Sequence, residues 1–450
     1  MKKETLIIAI VGFATFISML DCYIVNISLP AIANYFQADI DQVSPIVALY
    51  SLALSCTVLI WGKAADRLGF SKIFICAFSL FTIGSILCTL APQLNHLIIA
   101  RIIQGIGGGG LAAVGPALIA RDIAHNTQGK AFGFVGTSAA LGLLAGAPIG
   151  GLITGYFDWR GIFLINVPLG IFAVMACLKY LPKDTHQKST LPFDYIGAVL
   201  SIAFLSLLIL MVPEKGNLPT MQILLLGIGV LILLGFLFIF HEKRHPAPLV
   251  PPALMKNGLF MQGVLTGFLV TITIGGLNLT LPFHLIDNKG LSTEAAGMAM
   301  MLFSAVNATC NPISGRLADK YSPIKMSLIG TALGIPTSLF FALYADLNGL
   351  LTTMIFLAVF GIVISAFVPT SMMFVMQAAP LKHKGAGGGT NMAARGVGIG
   401  LGTALYGATL SYSQSTPSPM QTPWLFSACI FACASLVLIN ILRKHRTDNS

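Results

Sequence analysis

Of the sixteen acidic residues in the 450-residue chain, Asp21 alone falls inside a long apolar run. It stands sixteen residues after Thr5, about 24 Å along a helix that rises 1.5 Å per residue. A carboxylate in apolar surroundings costs several kcal/mol when ionised, which suits it to load and release a proton; an acid reaching water at an outer interface is the alternative. Two bases also fall inside apolar runs, Arg101 and Arg395. Arg101 and Gln104 are three residues apart and share a helix face. Facing Asp21, Arg101 would supply a charge partner and a route for the proton; otherwise its long stem snorkels to the interface. Arg395 lies ten residues after Gly385, about 15 Å along a helix. It either lines an internal cavity or ties helix ends together through carbonyl oxygens. Asn26, Tyr50, Gln104, Asn278, Asn307, Asn311 and Asn391 are the remaining candidates for a polar cavity lining, and each could equally serve packing.

The chemistry that is missing narrows the reading. All eight histidines lie in or beside loops, so no intramembrane metal site or imidazole relay is expected. There is no Gly-xxxx-Gly-Lys-Ser/Thr phosphate loop, and neither His-Glu-xx-His, nor Gly-x-Ser-x-Gly, nor a pair of carboxylates that could act together. No enzyme, no cofactor and no metal are expected.

The elements that must position these residues follow from composition. With 56% hydrophobic and 9% charged residues and a mean hydropathy of +0.85, the chain departs from soluble domains, of which about a quarter is charged. It reads as an all-α polytopic membrane protein. Runs of about twenty residues, the length a bilayer core demands, predict fourteen spans near 5–33, 43–62, 72–91, 96–120, 131–156, 161–181, 193–212, 220–240, 259–282, 294–314, 324–345, 349–376, 386–412 and 423–442. Met1-Lys2-Lys3-Glu4 leads straight into a long span with no small-residue cleavage site, so the first helix is expected to stay. The eight cysteines sit within apolar runs and read as small core residues. With the N-terminus inside, 21 Lys and Arg fall on the cytoplasmic side against 3 outside. That asymmetry accounts for the net charge of +10 as ordinary membrane topology and excludes nucleic acid as a partner.

A charged stretch recurs. Gly62-Lys63-Ala64-Ala65-Asp66-Arg67-Leu68-Gly69-Phe70-Ser71-Lys72 is echoed by Gly315-Arg316-Leu317-Ala318-Asp319-Lys320-Tyr321-Ser322-Pro323-Ile324-Lys325, with Asp66 and Asp319 253 positions apart. In both, Gly precedes Asp by four, a base follows, and an apolar run has just ended. Glycine lets two helix ends approach, and the carboxylate suits the positive N-terminal pole of a neighbouring helix. Gly62, Asp66, Arg67, Gly69, Gly315 and Asp319 therefore read as a conformational switch at matched places in two halves. The second copy falls eight spans after the first, so two helices, 193–212 and 220–240, are inserted between six-helix bundles. Their lack of polar residues beyond Ser201 and Ser206 places them at the periphery. The expected divisions are 1–190, 191–257 and 258–450.

Gly62 to Lys72 resembles the signature loop after the second span of major facilitator transporters. Leu20-Asp21-Cys22-Tyr23-Ile24-Val25-Asn26-Ile27-Ser28-Leu29-Pro30 resembles the first-span motif of the fourteen-span drug:proton antiporter subfamily, and Arg101-xx-Gln104-Gly105 is similar to a motif whose Arg is implicated in proton transfer. Gly142, Gly146, Pro148, Gly150 and Gly151 form a ridge similar to the antiporter motif of exporters, with Ala147 where Gly usually precedes Pro; a packing ridge unrelated to transport direction is the alternative. Asp158 to Pro168, with Asn166, is similar to the start of the sixth span, and Arg395 resembles an Arg carried in the thirteenth. The resemblance implies a major facilitator fold and a proton-coupled antiporter exporting amphipathic small molecules across the bacterial inner membrane, both termini cytoplasmic, with Asp21 the proton-coupling residue. An uptake symporter is the alternative, and a receptor or enzyme the more distant one. The implied partners are substrate, protons and the bilayer, for a monomer, with an outer-membrane export partner left open. Because no acid beyond Asp21 lies within a span and Arg395 would repel a cation, neutral, zwitterionic and anionic substrates gain weight.

Overall fold

The structure, a computed structural model, describes residues 3–184, 193–211, 221–344, 349–413 and 420–447, and in them every regular element is a helix. In chain order the long helices are α1 (Lys3–Phe36), α2 (Pro45–Leu68), α3 (Phe70–Thr89), α4 (Leu94–Asp122), α5 (Gln128–Tyr156), α6 (Asn166–Tyr180), α7 (Tyr195–Leu210), α8 (Met221–Arg244), α9 (Gly258–Phe283), α10 (Thr293–Lys320), α11 (Pro323–Tyr344), α12 (Leu350–Ala378), α13 (Lys384–Ser413) and α14 (Gln421–Thr447). A helix satisfies its backbone polar groups within itself, which is what an apolar solvent demands of a spanning segment. Among the described residues, eleven helices are long and apolar enough to cross a membrane. The other three are α7, α10 and α13. The described part of α7 is short, whereas α10 and α13 carry Asn307, Asn311, Asn391, Arg395 and many small residues because they face other helices across the middle of the molecule. The expected boundary at 190–191, Lys188 and Lys215 lie outside the described residues.

Two buried apolar clusters hold the bundle. The first draws mainly on α1 to α7, joined by Ala318, Met326, Met373, Met376 and Ala393 from the later helices, and Phe70, Phe74, Phe78 and Phe81 put aromatic rings at three- and four-residue spacing on α3. The second lies between residues 254 and 441. There Trp424 packs edge-on against Phe356 at 4.6 Å, and Phe356 stacks on Phe341 at 4.0 Å between ring centres. Neither cluster contains a disulfide, and all eight cysteines are free.

The pair α7–α8 rests on the side of α2, where the Cys56 thiol meets the Ser206 hydroxyl at 3.3 Å. Its ends are clipped by Asp194, whose Oδ1 lies 2.7 Å from His241 Nε2. Beyond that clip α8 is open along its length, with 6% of its most apolar stretch buried. An apolar helix left uncovered in this way presents its side chains to lipid.

Candidate functional site

Asp21 is fully buried and held by three side chains. Arg101 Nη1 donates to its Oδ2 at 2.7 Å, while Gln104 Nε2 at 2.9 Å and Asn166 Nδ2 at 2.7 Å donate to its Oδ1. Arg101 in turn donates to the Gln104 carbonyl oxygen at 2.6 Å and the Ile46 backbone carbonyl at 3.2 Å, and its guanidinium lies over the Tyr50 ring at 3.9 Å. Gln104 completes the set by donating to Ser85 at 2.9 Å. Five helices, α1, α2, α3, α4 and α6, thus converge on one carboxylate. Three positions fix the geometry: the i, i+3 spacing aims Arg101 and Gln104 together, and Asn166 at the start of α6 reaches across. A buried charge is tolerable only when paired and hydrogen-bonded, and this pair is both. Arg101 Nη2 and Asn166 Oδ1, a donor and an acceptor, remain without partners among the described residues. Such an arrangement can exchange partners when Asp21 takes up a proton.

The glycine ridge decides where α1 runs. A side chain at Gly142 would stand 2.5 Å from the Phe16 carbonyl oxygen and 2.9 Å from Met19 Cβ, and one at Gly146 would stand 2.8 Å from Tyr23 Cβ. These glycines let α5 lie directly on the turn of α1 that carries Asp21. Gly151 faces nothing within 4 Å, and Pro148 is exposed. Gly142→Val is therefore expected to lower thermal stability by about 1–3 kcal/mol through overpacking, with Gly151→Val nearly silent. Equal melting temperatures for the two variants would show that the ridge does not set the approach.

At the end of the bundle bearing the repeated loops, each Asp caps a helix in the other half. Asp66 accepts from the backbone N–H of Gly385 at 2.7 Å and of Ala386 at 2.8 Å, at the start of α13. Asp319 accepts from Gly129 at 2.6 Å and Lys130 at 2.7 Å, at the start of α5. The glycines make these approaches possible: a Cβ on Gly62 would meet the Gly385 carbonyl, and one on Gly315 the Gly129 carbonyl. Both locks use the free N–H groups and the positive pole of a helix N-terminus. Arg67 is half-buried without an ion pair among the described residues. Gly69, at φ +106°, turns α2 into α3 in a backbone region that side chains avoid, with Asp184 packed against it. Asp184 accepts from Ser71 N at 3.2 Å and Lys72 N at 3.0 Å and pairs with Arg121 at 3.0 Å.

Sequence reasoning missed a third tie at this end. Lys384 Nζ, buried at the start of α13, donates to the carbonyl oxygens of Ala120 on α4 at 2.8 Å and Met376 on α12 at 3.2 Å. Gln377 and Gln128 join beside it at 3.1 Å. Burial, and then Lys63 and Lys382, hold the neighbouring His383 imidazole below its ordinary range.

The polar candidates divide by location. Tyr50 and Gln104 belong to the Asp21 cluster and are fully buried. Asn311 donates to Asn307 at 2.6 Å against Gly136 of α5, and buried Asn391 donates to the Met372 sulfur at 3.1 Å. Asn26 and Asn278 are exposed and Arg395 is half-buried. A cavity of about 190 Å³ opens between α1, α5, α9, α10 and α12, lined by Tyr23, Leu143, Leu277, Asn278, Met300 and Ser304 among others. Its walls are mostly apolar, with a few polar groups to orient an occupant. No His, Cys, Asp or Glu cluster among the described residues could hold a metal.

Comparison with known proteins adds the following. The Major Facilitator Superfamily profile matches residues 11–403 and, again, 263–449. The chain is similar to the riboflavin transporter RibZ of Clostridioides difficile, 30% identical with all of both chains covered. It is also similar to a multidrug resistance protein B homolog of Mycobacterium tuberculosis, 31% identical over 86% of this chain and 74% of that protein. In structure it resembles the human organic anion transporter MFSD10, with a TM-score of 0.70 and 14% identity, covering 97% of this chain and 99% of that one. At that identity the likeness speaks to the fold alone.

Proposed function

The chain belongs to the Major Facilitator Superfamily, and from that premise we propose that it is a proton-coupled antiporter exporting amphipathic small molecules. The observation that carries the reading is the Asp21–Arg101 pair: a 2.7 Å ion pair buried at the meeting of five helices, where a proton on Asp21 would break the charge balance. The glycine ridge laid against Asp21 ties α5 to the same carboxylate. Relatives named multidrug resistance proteins support export, and the mostly apolar cavity suits amphipathic cargo. In this reading two six-helix bundles, 1–190 and 258–450, rock about the cavity, with Asp66 and Asp319 locking one of two states. The excess of Lys and Arg supports a cytoplasmic side for the locks and both termini, in the bacterial inner membrane. The proton gradient supplies the energy, and α7–α8 lie at the periphery facing lipid. A metabolite rather than a drug as cargo is the second reading, favoured by the full-length similarity to a protein named a riboflavin transporter.

Inverted membrane vesicles acidified inside test the direction. Compounds selected by a growth-inhibition panel in an efflux-deficient host are added outside while lumenal pH is followed. Antiport predicts that the lumen becomes more alkaline as substrate enters. A lumen that stays acid for every compound, together with proton-linked exit of preloaded substrate, would identify a symporter and overturn the proposal.

A further inference from the structure

The interior of this protein holds two arginines in opposite circumstances. Arg101 is paired and packed: it has Asp21, Gln104, the Ile46 carbonyl and the Tyr50 ring. Arg395 has no hydrogen-bond or ion-pair partner among the described residues, and no side-chain interaction of its own goes unrecorded. The carbonyl tie that was one sequence-based expectation for it is absent. Yet Arg395 lies eleven residues into α13, about 16 Å from the helix start. A guanidinium carries five N–H donors in a fixed fork and stays charged, so leaving it bare at this depth is costly unless something supplies acceptors.

The surroundings are arranged around that vacancy of acceptors. Opposite, on α9, is Gly267; a Cβ there would lie 3.9 Å from Arg395 Cγ and 3.6 Å from Asn391 Oδ1, so the glycine leaves a recess beside both side chains. On the other flank Gly396 turns toward Ser55 of α2, 3.5 Å from where a Cβ would stand. The described acids that could neutralise Arg395 are engaged elsewhere. Asp21 is paired with Arg101, and Asp66 and Asp319 each accept two helix N-terminal N–H groups. Arg395 is therefore left without a counter-charge among the described residues, where α2, α9 and α13 come together.

We propose that Arg395 is the specificity-determining residue for substrate charge, and that the transported molecule is an amphipathic organic anion whose carboxylate or sulfonate is gripped by the guanidinium. Asn391 and Ser55 flank the grip, and the apolar body of the substrate lies against hydrophobic wall. A planar fork meets an oxyanion through two parallel hydrogen bonds, which a lysine cannot reproduce. The inference rests on the reading that the protein carries amphipathic cargo; it adds the sign of the charge. It also sets this chain apart from carriers of organic cations, which Arg395 would repel.

The test is equilibrium binding to the full-length protein in lipid nanodiscs without any gradient, using two probes that share one aromatic skeleton. One is 1-anilinonaphthalene-8-sulfonate, an anion; the other is neutral N-phenyl-1-naphthylamine. The parent protein is expected to bind the sulfonate saturably. Arg395→Gln should weaken that binding about ten- to a hundredfold, the range for a hydrogen bond to a charged group, while changing affinity for the neutral probe less than about threefold. Arg395→Lys should fall between, keeping the charge but losing the fork, and melting temperatures report whether each variant is folded. Failure of the parent to bind the sulfonate, an equal loss for both probes, or no loss for either would overturn the proposal. Because no gradient is imposed, charge-selective binding combined with failed antiport in vesicles would sink the export reading and leave this one standing.

Discussion

Asp21→Asn is expected to reduce pH-driven transport to the level of empty vesicles while the protein still inserts and folds. Asparagine keeps the volume and one acceptor oxygen but cannot titrate, so the event that resets the cycle is lost. The substitution also strips Arg101 of the one carboxylate it pairs with among the described residues, and removing one partner of a buried pair costs about 3–5 kcal/mol. A single variant would therefore confound instability with lost coupling. The double variant Asp21→Asn with Arg101→Gln separates them, since it restores neutrality without restoring a titratable group. Its melting temperature should return toward that of the parent and its transport should not. Asp21→Glu should retain part of the activity with a shifted pH optimum, at a stability cost of about 1–3 kcal/mol for forcing a methylene into a fully buried site. Substrate export at the parental rate by either asparagine variant would mean that the proton travels by another route.

The structure also suggests what protonation does locally. While Asp21 is ionised it binds α1 to α4 through Arg101 and Gln104, and to α6 through Asn166. A proton on one carboxylate oxygen competes with a donor for it, and the leftover Arg101 Nη2 and Asn166 Oδ1 show that the cluster holds more hydrogen-bonding capacity than one arrangement uses. Since α5 lies on the same turn of α1, a shift of that turn is felt along a helix whose N-terminus is capped by Asp319.

How much of this could be read from the sequence depended on how costly each residue is where it lies. Asp21, Arg101 and Arg395 stood out because an ionic group inside an apolar run needs a reason. Asp66 and Asp319 stood out because the same turn chemistry occurs twice. Asn166 gave only the weaker signal of its motif, since an amide is cheap enough to sit in many helices without a special role, and Ser85 gave none. The Lys384 tie was invisible for a different reason: its acceptors are the carbonyls of Ala120 and Met376, which every residue type carries. Asp184 looked like one more loop acid, yet it caps α3 and pairs with Arg121. Tyr50 was read as a cavity residue from its position in a span, and the structure instead lays its ring on Arg101. The hydropathy of α10 and α13 reports the converse effect. Helices that face other helices carry polar and small residues, so α10 and α13 look least like membrane spans, whereas the helices that hold Asp21 and Arg101 pass as spans.

Breaking both locks at once should trap the protein away from the state described here. In Asp66→Asn the amide keeps one oxygen for the Gly385 N–H but turns an NH2 toward the Ala386 N–H, donor against donor, and Asp319→Asn does the same at Gly129 and Lys130. A hydrogen bond to a charged group contributes about 1.5–3 kcal/mol, so each substitution should shift the balance between states by about ten- to a hundredfold, with the helix-pole attraction lost as well. The two apolar clusters reach the locks at Ala65, Ala318 and Ala386, but neither substitution alters an apolar side chain, so abundance and melting temperature should change little. The readout is a single thiol at Ser55→Cys, on the α2 face opposite Gly396, in a background with the eight native cysteines replaced. With the locks intact that site is shut off from the end bearing the repeated loops, and a membrane-impermeant thiol reagent applied from that side should label it slowly. The double variant should label much faster and turn over slowly, because a cycle needs the locked state to be reached as well as left. Asp66→Asn alone should show the same change in smaller measure, since Asp319 and Lys384 still hold the seam. An unchanged labelling rate with normal transport would reduce the repeated loops to connectors, however well their carboxylates fit the helix ends they meet.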